Sequence, residues 1–179
     1  MTRALTPEED QRLGGEAVWG FTPADPMGTT VRKIATQGGP RLVIRNGVTW
    51  SPSREVGTDA VQKVSRNHDR SFAARFPMLD RVEMAYRWGG LLCLSRNGTS
   101  AFGEVEPGLF AAGCQNGLGA ARGTYTGIMA AELASGEASE NLTRFSNQAR
   151  PSRLPMEPIA SIGAIATLRW GEFKAGREL

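Results

Sequence analysis

The stretch Gly113-Cys114-Gln115-Asn116-Gly117-Leu118-Gly119-Ala120-Ala121-Arg122-Gly123-Thr124 decides how the rest of the chain is read. An apolar run, GLFAAG (residues 108–113), leads into it, and YTGIMAAELASG (125–136) leads out. The first has the length and the bounding glycines of a short buried strand. The second is a helical run of Ala and other small residues, with Gly136 as its stop. The order predicted is therefore strand, glycine-rich turn, helix.

A helix N-terminus presents unpaired backbone N–H groups and about half a positive charge. Gly117 and Gly119 carry no side chain, so a flat ligand can come close to the backbone there. One suitable ligand is a phosphate. The other is an aromatic ring that gains negative charge in reaction, as a reduced flavin does. The spacing Gly113-x3-Gly117-x-Gly119 is not the G-x-G-x-x-G of a dinucleotide site, and no Walker lysine follows Gly119. Close packing of a small-residue helix accounts for the same glycines without any ligand.

Upstream, TTVRKIAT (29–36) alternates and is β-branched, QGGP (37–40) is a turn, and RLVIRNG (41–47) is a second strand, with VTWSP (48–52) as its continuation. TPEED (6–10) reads as a capped first turn, with Thr6 as N-cap and Pro7 in the first helical position. AVWGFTPADPMG (17–28) is a loop or edge segment, because its prolines exclude a central strand. Residues 57–77 form a helix, with Thr58 as its cap and Pro77 as its stop. Val61, Val64, His68 and Phe72 fall on one stripe of that helix, with Phe76 one turn on. RVEMAYRW (81–88) and LLCLS (91–95) read as strands, RNGTSAFG (96–103) as a turn, and SENLTRFS (139–146) as a short helix capped by Ser139. A Pro-rich turn and an amphipathic tail complete the chain. The pattern is α+β, not an alternating βαβ wind.

Composition narrows the function. The chain has 179 residues, 40% hydrophobic and 22% charged, as a globular protein has. Its net charge is +3, mostly from scattered Arg, with no block of five or more Lys/Arg to mark a nucleic-acid surface. No apolar run approaches the ~18 residues of a membrane span, and the N-terminus has no apolar signal region, so a cytoplasmic protein is expected. Two cysteines, Cys93 and Cys114, and one histidine, His68, are too few for a disulfide framework or a zinc site. His68 offers a catalytic base or a ligand. With no carboxylate or Cys at metal-ligand spacing around it, a partly buried histidine with a backbone partner is favoured. Cys93 and Cys114 read as a redox pair, a flavin-linking thiol, or two small buried residues, the last favoured. Tyr86 and Trp88 share one face of their stretch and serve a pocket or a core equally well.

RFPMLDRVEMAYRWGG (75–90), the run from Asn97 to Glu137, and PSRLPMEP (151–158) together resemble the C-terminal part of FAD-dependent oxidoreductases of the glycine/D-amino-acid oxidase (DadA-like) family. The hairpin RKIATQGGPRLVIRNG (32–47) is similar to that family's substrate-domain sheet. The resemblance implies an antiparallel or mixed substrate-domain sheet with a flanking helix over residues 1–105. It implies the returning strand, Gly turn and helix of an FAD-binding domain over 106–150, and a tail over 151–179. It implies oxidation of an amine or amino acid, with hydride passing to flavin.

Carried over by position, Gln115, Asn116, Gly117, Leu118, Gly119 and Ala120 would contact the isoalloxazine ring. Trp88, Gly89, Gly90 and Arg45 would bind substrate. Where many members place a carboxylate-clamping Arg, this chain has Leu92, leaving Arg45, Arg32 or Arg96 for that part. No catalytic residue and no metal ligand is assigned. The family's glycine fingerprint and Rossmann-like half do not occur in these 179 residues. The resemblance thus implies a fragment, a truncated product or one part of a split enzyme, inactive as the isolated chain. It would need the N-terminal FAD-binding half, a partner subunit or a second copy to cover the face of helix 120–135. The alternative is a non-enzymatic remnant that binds a partner or a small ligand.

Overall fold

The computed structural model describes residues Met1–Glu178 and divides into two compact units. Unit 1 comprises residues 1–90 and 157 onward; unit 2 comprises residues 91–156. Among the described residues the chain is α+β, with five α-helices and two small sheets, both antiparallel throughout.

Unit 1 begins with helix α1 (Pro7–Leu13), built as its sequence dictates. The Thr6 hydroxyl accepts from the Glu9 N–H, the Glu9 carboxylate accepts from the Thr6 N–H, and Pro7 opens the first turn. Strands β1 (Trp19–Phe21), β2 (Thr30–Ile34) and β3 (Arg41–Arg45) form a three-stranded sheet in that order. β1 lies at one edge, as the prolines that follow it, Pro23 and Pro26, allow. Val31 opposes Ile44 and Lys33 opposes Leu42, so these four side chains share one face. Phe72 and Phe76, Leu5, Leu79 and Val82 join Val31 and Leu42 in the core.

Helix α2 (Thr58–Arg75) supplies Phe72, and Phe76 follows as its C-cap, with ring centroids 5.3 Å apart. Its cap is Gly57 rather than Thr58, which is already helical and makes no side-chain capping bond. The stripe along α2 is graded. Val61, Val64 and His68 are half-buried, while Phe72 and Phe76 are fully inside. Helix α5 (Ile159–Ala175) corrects the expected amphipathic tail. Ala160 and Ala175 are buried, yet Ile159, Ile162, Ile165, Trp170 and Phe173 are exposed, so apolar residues occupy most of its circumference. Gly171 is required there, because a Cβ would lie 2.7 Å from Met27 Cγ.

The expected strand over residues 81–88 reduces to a single antiparallel bridge, Met84 with Thr2. Its partner is the segment ahead of α1, where Arg3 N–H donates to Glu83 O and Leu5 N–H turns away to Pro40 O. The expected strand over 91–95 is absent. No strand lies along it, and Leu91, Leu92 and Leu94 are exposed. An extended apolar run without a neighbour to share its N–H and C=O groups is not a strand.

Unit 2 holds the hairpin of β4 (Ala101–Glu106) and β5 (Leu109–Gly113). The turn sits at Pro107-Gly108, so the stretch read as turn 96–103 contains the start of β4. Helix α3 (Gly119–Ser135) ends at Gly136, left-handed at φ 73°. Helix α4 (Glu140–Ser146) is capped by Ser139, whose hydroxyl accepts from Leu142 N. Met129, Leu142 and Phe145 form the core with Phe102 and Leu133, and Phe145 meets Phe102 edge-on at 4.7 Å.

Candidate functional site

Unit 2 carries the glycine-rich turn. Three residues in four are left-handed there: Cys114 (φ 57°), Asn116 (φ 51°) and Gly117 (φ 80°). A non-glycine residue in that region is uncommon and is held by its surroundings. Asn116 is held by its side chain. Its Oδ1 accepts from Ser95 N at 2.8 Å and from Ser95 Oγ at 3.3 Å; its Nδ2 donates to Cys114 O at 2.9 Å and Thr99 O at 3.2 Å. Both N–H donors of the amide are thereby used, and its oxygen is held by Ser95, whose hydroxyl also donates to Thr99 O at 2.6 Å. Asn116 is fastened into the turn by its side chain.

Gln115 donates to Ala112 O and to Thr126 Oγ1, both at 3.3 Å, and its Oε1 is buried without a protein partner. Beyond these two, Gly117, Leu118, Gly119 and Ala120 are all exposed. A Cβ on Gly117 or Gly119 would meet nothing within 4 Å. α3 has no side-chain cap, and its first amides have no acceptor within the helix. The helix buries Thr126 and Met129 on one side. On the other it exposes Ala120, Thr124, Gly127, Ile128 and Ala131, a stripe at helical spacing made of small residues around one isoleucine.

The four residues expected to bind substrate lie in unit 1, and the structure brings them together. Arg45, Trp88, Gly89 and Gly90 line one cavity of about 300 Å³. The half-buried part of the α2 stripe, Val61, Val64 and His68, forms its wall with Val56. Small side chains at that end of α2 leave the space that phenylalanines fill at the other end. Trp88 is 61% exposed and Tyr86 53%, so both belong to the pocket and neither to a core. Gly89 is explained by packing: a Cβ there would lie 2.8 Å from Val56 Cγ1. Arg45 donates to Gly28 O and Thr30 Oγ1, both at 3.2 Å. Arg87, which sequence reasoning passed over, also lines the cavity and pairs with Asp69 at 2.5 Å.

His68 has the environment of a partly buried histidine. Burial pushes its pKa down, a hydrogen bond to the Asn46 backbone and the Asp69 carboxylate oppose this, and Arg87 adds to the depression. Among the described residues no group of three or more His, Cys, Asp or Glu could hold a metal ion.

A second cavity, of about 590 Å³, was not foreseen. It lies wholly in unit 2, between the turn at Asn97–Ser100, the α3 residues Arg122 and Tyr125, and Gln148 beyond α4. Arg122 donates to Gly98 O across it at 2.8 Å. The Asn97-Gly98 turn was legible, but that α3 would fold back onto it was not.

Cys114 and Cys93 also meet in unit 2. The Cys114 thiol lies 3.5 Å from Cys93 O, and burial first, then the neighbouring Cys93 side chain, pushes its pKa up. Neither cysteine is disulfide-bonded. No helix among the described residues is long and apolar enough to cross a membrane. The chain matches no family model, and no curated protein or solved structure matches it.

Proposed function

We propose that this chain is the C-terminal portion of an FAD-dependent oxidoreductase acting on an amine or amino acid, and that residues Gln115–Ala120 border the flavin ring. One observation carries the reading. The N-terminus of α3 is open: exposed, without a side-chain cap, and bordered by two glycines with free space around them. The fit extends to the ring alone, and the nucleotide part of FAD would rest on residues beyond these 179. Flavin, when bound, supplies the hydride acceptor. The chain's own part is electrostatic: the free amides of the first turn of α3 favour negative charge on a ring edge placed against them. The exposed small-residue stripe of α3 suits close packing against a flavin domain.

The test is an amide NMR titration of the chain with riboflavin, which carries the ring without the adenine nucleotide. Shifts concentrated at Gly117–Ala121, and abolished by Gly119→Val, are expected. Saturation with no shift there, or shifts only elsewhere, overturns the reading.

The cavity in unit 1 favours a second reading, a small-ligand-binding module without flavin chemistry. It closes within its own unit, with apolar walls and two arginines at its lining. Binding of a small amine or carboxylate that shifts Trp88 fluorescence, with no response to riboflavin, would support it.

A further inference from the structure

We infer that Cys93 and Cys114 are a reversible dithiol–disulfide pair that fastens the unladdered segment 91–95 to the glycine-rich turn. These are the chain's two cysteines, 21 residues apart in sequence, and folding brings them together within unit 2. The Cys114 thiol points at the backbone of Cys93, 3.5 Å from its carbonyl oxygen. Cys114 is held in this direction by a left-handed backbone, φ 57°. The next connection is already in place: Asn116 ties down Ser95 two residues further along each segment. The two cysteines are thus held in register on facing segments. Their exposures differ. Cys93 is open to solvent and Cys114 is half-buried, which sets an order of events.

With hydrogen peroxide as oxidant, the Cys93 thiolate attacks one peroxide oxygen. The O–O bond breaks, hydroxide leaves and takes up the thiol proton as water, and Cys93 becomes a sulfenic acid. The Cys114 sulfur then attacks the Cys93 sulfur. The S–O bond breaks, a second water leaves with the Cys114 proton, and the S–S bond forms. Two thiols lose two electrons and two protons; one peroxide gains them. A small dithiol reductant returns both thiols by exchange. The inference does not depend on flavin binding.

The full chain, reduced and then freed of reductant, is treated with an equimolar amount of hydrogen peroxide, alkylated and weighed intact. The expected product is a monomer that has lost two hydrogen atoms and takes no alkyl group. Its digest should contain a peptide joining Cys93 to Cys114, and dithiothreitol should restore both alkylation sites. Cys114→Ser should stop at a Cys93 sulfenic acid trapped by dimedone, and Cys93→Ser should oxidise several-fold more slowly, because its remaining thiol is shielded. Two alkylated thiols after peroxide treatment, or cross-links only between chains, overturn the inference. So does equal sulfenic acid formation in the two single variants.

Discussion

The side chain of Asn116 spans the gap to Ser95, accepting from its backbone N–H at 2.8 Å and its hydroxyl at 3.3 Å. The same amide donates to Cys114 O and Thr99 O, so one residue joins the glycine turn to the segment before β4. Its backbone is left-handed, which Asn tolerates better than most residues. Asn116→Ala should cost about 2–4 kcal/mol, from unpaired polar groups and backbone strain together. Asn116→Gly relieves the strain but not the lost bonds, and should fall between Ala and the native protein. Urea denaturation of the three proteins gives that order; equal values for Ala and Gly would refute the strain component.

Glu9 sets an acid limit. The Arg3 side chain first, and then the Thr6 N–H, hold its carboxyl down from 4.5 to about 2. A folded-state pKa below the unfolded one contributes stability above pH 4.5, and that stability is lost as the pH falls through 4.5 toward 2. The full effect stays below about 3.5 kcal/mol, because one pKa unit is worth ~1.4 kcal/mol and solvent screens the Arg3 side chain, which is 37% exposed. Glu9→Gln should be less stable at pH 7 and should show a flatter stability profile between pH 5 and 2.

Lys33 is 2% exposed in the middle of the sheet's inner face, and its ammonium lies 2.7 Å from Asp10 Oδ1. That contact lies off the hydrogen-bond direction, so Asp10 acts mainly as a charge, while Glu16 O accepts from Nζ at 3.1 Å. The two partners are not equivalent, because the Asp10 side chain is 33% exposed. Asp10→Asn leaves a buried ammonium without its counter-charge and should cost about 3–5 kcal/mol. Lys33→Met leaves a carboxylate that water can reach, and should cost less. Denaturation midpoints ranked the other way would show that the strength of this pair does not follow burial.

His68 gives a second pH dependence. Burial lowers its pKa below 6.5, Arg87 and the N-terminal amine add to this, and Asn46 and Asp69 oppose it. A histidine depressed in the folded state contributes stability that is complete above pH 6.5 and is lost as the pH falls from there through the folded value. His68→Gln should therefore flatten the stability profile between pH 7 and 5. It should do so without changing the lower-pH loss that belongs to Glu9.

The parts of the fold legible in the sequence are those set within a few residues. Thr6-Pro7 and Glu9 make the α1 cap from neighbours three positions apart. Gly136 stops α3 because a left-handed residue is needed there. The alternation of Val31 and Lys33 fixes their shared face, even though Lys33 is a cation. Of the candidate site, Arg45, Trp88, Gly89 and Gly90 were named through a resemblance alone, and the cavity they line was not legible. Nor was it legible that Gly89 serves Val56, or that Asn116 is consumed by its own turn.

By itself the sequence determined the α+β class, the β2–β3 hairpin, the span of α3 and the glycine turn ahead of it. Each follows from periodicity, caps and turn chemistry acting along the chain. Only the tertiary structure decided that residues 81–88 and 91–95 are not strands, because a strand exists through hydrogen bonds to a neighbour that its own residues do not specify. The same holds for the cavity of unit 1, left open where α2 turns from phenylalanine to valine, and for the meeting of Cys93 with Cys114. Contacts between residues far apart in sequence are selected by what packs and pairs in space, and local propensity carries no record of them.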